Sequence, residues 1–292
     1  MKFLEKNAKW YNFINVAVVG ITALIFSVSY RNVTGIFYGM DFLAVAILAA
    51  TVFLVHFIKA VRLYFALYGA EFKFKDYIKT YCKVTPVSVV MPLKSGELFR
   101  MYCYGRQVGN VIKGIVIILL DRFMDTAALL TVIGLVRIFY GGHMPPVAYL
   151  LLVFLIFILL VYSAFSGVCQ FWKRYLLCAR ATENKLFALK MLETLNIIYQ
   201  EVAGVARWRG LILYFMSLTA WGIEIMGISL LDGLSENGRL NQMISGYLAA
   251  AMGGSQSVYL NRFVFISVLL LIAVYVFMEV MEIIHGKKGD KA

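Results

Sequence analysis

Long apolar runs alternate with short polar ones along almost the whole chain, and six of the runs are long enough to cross a bilayer as helices. They cover residues 13–29, 42–58, 111–139, 147–165, 210–231 and 263–284, against a requirement of about 20 residues per crossing. Two further apolar stretches are too short to cross. Residues 85–93 are interrupted by Pro86 and Pro92 and bounded by Lys83 and Lys94, and residues 244–260 are broken by Gly246, Gly253 and Gly254. Short, Pro- or Gly-broken segments at corresponding places in two halves point to a transporter's binding region. The pattern therefore predicts three helices with a re-entrant segment before the third, repeated once. An odd number of crossings per repeat would invert the second copy. The alternative is two surface-lying loop helices and no repeat.

The predicted fold is thus an all-α polytopic membrane protein of about six transmembrane helices plus two re-entrant or broken segments. It forms one membrane domain over 1–292. The first half, 1–140, holds the re-entrant segment 85–104. The second half, 145–285, holds the broken segment 244–260 and an amphipathic cytoplasmic helix at 172–208, on which Ala188, Met191, Leu195, Ile198, Val202 and Val205 alternate three- and four-residue steps.

Composition agrees with the pattern: 62% of the 292 residues are hydrophobic and 15% charged, and a mean hydropathy of +0.80 is far too apolar for a soluble domain. The net charge of +12 would suggest nucleic acid in a soluble protein. Here the basic residues gather in alternate loops, around 59–113 and 173–209, which the positive-inside rule places in the cytoplasm with both termini. Nucleic acid is not an expected partner. The N-terminal run could pass for a signal sequence, but the spans that follow favour an uncleaved anchor in the cytoplasmic membrane. Cys82, Cys103, Cys169 and Cys178 show neither a paired nor a metal-ligand spacing and are expected to be reduced. No metal or other cofactor is expected.

Charge at membrane depth carries the chemistry, because an ionisable residue there costs roughly 3 kcal/mol on insertion scales and faces a partner, a cavity or a substrate. Lys94, Glu97 and Arg100 recur every three residues, so a helix starting at Ser95 presents them near one face. Gly96 would let backbone N–H groups approach a ligand, and a helix start favours anions such as phosphate. Arg100 offers a bidentate fork and Lys94 a point charge. Glu97 then needs a cation, either Arg100, Arg122 or a cationic part of the substrate. The alternative is that these charges snorkel to the cytoplasmic surface.

Asp121 lies ten residues into its span, roughly 15 Å deep at the helical rise. Arg122 pairs within the helix with Asp125, leaving Asp121 to meet another helix. Glu224 stands alone mid-span after Trp221, either protonated and locally bonded or a proton or cation site. His56, Lys59 and Arg62 are expected to be interfacial anchors.

Pro92-Leu-Lys-Ser-Gly-Glu97-Leu-Phe-Arg100, followed by Asp121-Arg122-Phe-Met-Asp125, resembles the motifs of the lysylphosphatidylglycerol synthase transmembrane family, the flippase-like membrane region of multiple peptide resistance factor proteins. Trp221 with Glu224 is similar to that family's Trp and acidic pair. The resemblance implies a module that moves, or helps process, aminoacylated phospholipids or polyprenyl-linked glycans, with Glu97, Arg100, Arg122 and Asp125 as functional positions. The second half departs from the pattern. Met252, Gln256 and Tyr259 stand where the family has Pro, Gly and Glu, while Gly253 and Gly254 keep the break.

The expected site is therefore Lys94, Ser95, Gly96, Glu97, Arg100, Asp121, Arg122, Asp125, Glu224, Gly253 and Gly254. The expected function is a lipid transporter whose partners are membrane lipids with anionic or aminoacylated head groups. The alternative is a membrane-embedded transferase or accessory subunit in phospholipid aminoacylation of the lysyltransferase type or in envelope glycan synthesis, with a separate envelope-synthesis enzyme as a further partner. With the chain ending at Ala292, no soluble aminoacyl-transferase domain is expected, which weighs against an enzyme.

Overall fold

A computed structural model describes residues 8–67, 73–91, 95–140, 146–178, 182–207, 209–234, 240–251 and 257–289, which are mostly helical with no strand among them. In order they form α1 (Ala8–Ser29), α2 (Val33–Ile36), α3 (Phe42–Ala66), α4 (Phe74–Val90), α5 (Ser95–Gln107), α6 (Val111–Tyr140), α7 (Pro146–Cys178), α8 (Glu183–Ala206), α9 (Arg209–Leu234), α10 (Leu240–Ala251) and α11 (Val258–Gly289). The six expected spans all fall within helices, and the chain is an all-α polytopic membrane protein. Phe42–Ala66, Pro146–Cys178, Arg209–Gly233 and Val258–Glu282 are each long and apolar enough to cross a membrane. The apolar part of α1, Phe13–Ser29, is shorter. With 30 residues, α6 is roughly 45 Å long, but Asp121, Arg122 and Asp125 interrupt its apolar run.

Two expected elements take a different form. Residues 85–90 do not stand apart but finish α4, with Pro86 inside its last turns. The helix stops at Val90, and Met91 is extended at φ −67° and ψ 131°. A residue before proline is pushed out of the helical region by the ring, and Pro92 follows. The amphipathic helix expected over 172–208 is divided: Trp172 to Cys178 extend α7, and α8 begins at Glu183 after an extended Thr182. On α8 only the C-terminal end is buried, through Val205, while Met191 is exposed. The break at Gly253 and Gly254 lies outside the described residues.

Within lipid the hydrophobic effect drives no helix to its neighbour, so contact rests on close packing and polar bonds. Missing side chains allow such approaches, two of them against the backbone of a neighbouring helix. A Cβ on Gly96 would overlap the backbone of Val87 and Ser88, so α5 folds back against the end of α4. A Cβ on Gly114 would likewise overlap the backbone of Gly105, which seats α5 on α6. The most extensive helix contact is between α3 and α9, and α6 packs on both α9 and α5.

Among the described residues two large apolar clusters fill the interior, beside a smaller one of Val84, Val87, Phe99 and Cys103. The first gathers Leu48, Val52, Val55, Ala128, Val132, Trp221, Ile228 and Tyr247. The second gathers Ala60, Leu63, Tyr77, Tyr104, Ile117, Leu120, Val205 and Leu213. Each of α3, α6 and α9 contributes to both clusters; Lys59 on α3 and Asp121, Arg122 and Asp125 on α6 lie between the two contributions, while Glu224 on α9 lies among the residues of the first.

Candidate functional site

His56, Lys59 and Arg62 recur every three residues on α3, so they share one face of that helix. That face turns inward. The Arg62 side chain is 1% exposed, its Nε lies 2.8 Å from Asp121 Oδ1, and its Nη1 lies 2.6 Å from Asp125 Oδ1. The first contact is an ion pair whose angle falls outside hydrogen-bond geometry, while Nη1 donates to both Asp125 and Ser217 Oγ. One guanidinium thus ties α3 to α6 and α9. A single turn earlier, Lys59 Nζ donates to Glu224 Oε1 at 2.7 Å and stands 5.5 Å over the Trp221 ring. Tyr247, on α10, donates its hydroxyl to Glu224 Oε2.

The start of α5 brings the remaining charges. Arg100 is buried, with Nη2 3.4 Å from Asp121 Oδ2 and Nη1 3.6 Å from Glu97 Oε2. Arg122 reaches Glu97 at 3.5 Å, Asp121 at 3.5 Å and Asp125 at 3.9 Å. These are long for charge-assisted bonds, whose heavy-atom distances run at about 2.7–2.9 Å. Arg122 is also the most exposed member of the group, at 40% against 0% for Asp121.

Among the described residues, four cations, Lys59, Arg62, Arg100 and Arg122, thus face four carboxylates, Glu97, Asp121, Asp125 and Glu224. Formal charge balances, as burial requires: an unpaired ion in a dry interior costs several kcal/mol even after relaxation. The cluster runs inward from Glu97 and Arg122, through Arg62 and the two aspartates, to Glu224. That last carboxylate sits fifteen residues into α9, roughly 22 Å along the helix.

Six expected site residues, Glu97, Arg100, Asp121, Arg122, Asp125 and Glu224, belong to this one cluster. Asp121 meets other helices through Arg62 and Arg100, and the pairing of Arg122 within its helix is the weakest of its contacts. Ser95 opens instead on a groove of about 300 Å³ lined by Ile14, Val18, Met91, Leu98 and Phe99. Gly96 is buried against α4, where its missing side chain serves helix packing. Lys94, Gly253 and Gly254 lie outside the described residues.

The expectation for α3 is corrected. Lys59 and Arg62 are not interfacial anchors but the hub of the cluster, and His56 is buried with Nδ1 3.2 Å from the Tyr81 hydroxyl. Ser217 and Tyr247 are further members that charge alone could not single out. The three-residue spacing from His56 to Arg62 repeats that of Lys94 to Arg100 and was the available signal.

The model of the lysylphosphatidylglycerol synthase TM region matches residues 12–259. No curated protein and no solved structure matches the chain.

Proposed function

The chain belongs to the lysylphosphatidylglycerol synthase transmembrane family, whose membrane-lipid-related role is the premise from which we propose that it moves a phosphate-bearing lipid across the cytoplasmic membrane. The lipid is an aminoacyl-phospholipid or a polyprenyl-phosphate-linked one. The observation that carries this reading is the uneven hold on the cluster's cations. Arg62 is buried and held at 2.6–2.8 Å, whereas Arg122 is two-fifths exposed and held at 3.5–3.9 Å. A phosphate arriving at the mouth therefore competes against the weakest partners, and the planar fork of Arg122 suits two phosphate oxygens at once.

A head group crossing unaided would leave its water without replacement partners. Along this cluster each phosphate oxygen or ammonium meets a charge of opposite sign, while the acyl or prenyl tails stay in the bilayer. The two halves rocking about the site would change the side to which it opens. The basic loops and both termini face the cytoplasm in this reading, so the mouth at Glu97 and Arg122 opens from that side.

The test is reconstitution in liposomes with fluorescent aminoacyl-phospholipid or polyprenyl-phosphate lipids, scored by transbilayer movement. The natural chain is expected to move at least one of them, and Arg122→Ala to slow that movement at least tenfold, the effect of losing about 1.4 kcal/mol. Folded natural protein that moves none of these lipids overturns the reading.

A further inference from the structure

Glu224 stands apart from the rest of the cluster. Its side chain is 1% exposed, and among the described residues Lys59 is the cation that pairs with it. Around them the side chains are aromatic: Trp221 lies 6.2 Å from Tyr247, Tyr247 is edge-on to Tyr259 at 5.2 Å, and Tyr259 is followed by Phe263 and then His56 at 6.3 Å each. Three polar atoms in this shell, Trp221 Nε1, Tyr259 Oη and His56 Nε2, are buried with no hydrogen-bond partner. All three residues are more than nine-tenths buried. Buried polar groups left in this way are ordinarily served by ordered water, which needs two to four such partners.

We propose that Glu224 is a proton-carrying site that couples lipid movement to a proton gradient, an inference that rests on the transport reading above. Lys59 is the mobile element. Its side chain is 24% exposed, and it lies within electrostatic reach of Asp125 as well as Glu224. When the Lys59 ammonium turns toward Asp125 or an arriving phosphate, the Glu224 carboxylate is left among aromatic rings with Tyr247 alone. An uncompensated buried carboxylate takes up a proton. A hydronium ion of the more acidic aqueous phase supplies it: one of its O–H bonds breaks, an O–H bond forms at Glu224, and a water molecule is left. Return of Lys59 restores the ion pair and releases the proton to water.

The titratable groups beside Glu224 are Lys59 from α3, Tyr247 from α10 and Tyr259 from α11, and Asp125 from α6 lies within electrostatic reach of Lys59. Water held by Trp221 Nε1, Tyr259 Oη and His56 Nε2 would provide the route.

The first measurement is infrared difference spectroscopy of the full chain in lipid nanodiscs on acidification, which is independent of lipid movement. The expected result is a protonated-carboxyl band that vanishes in Glu224→Gln and persists in Glu97→Gln. The second uses proteoliposomes with the membrane potential clamped. At one proton per lipid, a tenfold proton gradient supports up to about tenfold asymmetry of labelled lipid between leaflets, and Glu224→Gln shows none. A band that is absent, or unchanged in Glu224→Gln, overturns the proton site. Lipid that moves in the natural chain to the same distribution with and without the gradient overturns the coupling. A band that behaves as expected in a chain that moves no lipid instead overturns the transport reading and upholds the proton site.

Discussion

Arg62 and Arg122 carry the same group to opposite ends of one cluster, and their substitutions should part company. Arg62→Met strands Asp121 and Asp125 in the interior, and breaking a buried pair from one side costs about 3–5 kcal/mol. Thermal unfolding in detergent is expected to show that loss for Arg62→Met. Arg122 is 40% exposed with long contacts, so Arg122→Ala should change stability by no more than about 1 kcal/mol while transport is lost. A change in transport without a change in unfolding would mark Arg122 as a site residue. Asp121, Arg122, Asp125 and Glu224 were legible in the sequence because each interrupts an apolar span at a depth where charge is expensive, and Glu97 and Arg100 through their three-residue spacing from Lys94 and the motif they complete. Lys59 and Arg62 were obscured by topology. Near the cytoplasmic end of a span a cation already has an explanation, and only the three-residue stripe with His56 hints at an inward face.

Helix α6 makes a close crossing at one point and none at another, which gives a matched pair of substitutions. Gly114→Ala would drive a methyl group into the backbone of Gly105, and overpacking of this kind costs about 1–3 kcal/mol. Gly134, on the same helix, has open space where its Cβ would be. Gly134→Ala is expected to be neutral, or to stabilise by up to about 1 kcal/mol through helix propensity. The same unfolding assay reads both. The spans themselves were legible from length and hydropathy. The segment from 74 to 107 was not, because α4 mixes Lys75, Lys79 and Lys83 with apolar residues and its polar first turns hide that Thr85 to Val90 continue one helix. The division between α7 and α8 was hidden for a related reason: the apolar face of α8 is periodic to its N-terminal end, yet of its residues only Val205, near the far end, is buried.

Across the whole molecule, exposure separates the four cysteines: Cys82, Cys103 and Cys169 are buried and Cys178 is exposed. A membrane-impermeant maleimide should therefore add once per folded chain and four times after denaturation, as read by intact mass. In sealed inside-out vesicles Cys178 should react, and in right-side-out vesicles it should not, if the basic loops face the cytoplasm. The balance of four cations against four carboxylates has an electrical consequence. A membrane potential of 100 mV acts on each unbalanced elementary charge with about 2.3 kcal/mol, but on a cluster whose charges cancel it exerts no net pull. When the empty protein reorients with every pair intact, it should pass no current. Any voltage dependence of the complete cycle then originates in what the cluster carries, so a recording of transport current would report the summed charge of the lipid and of the proton that moves with it.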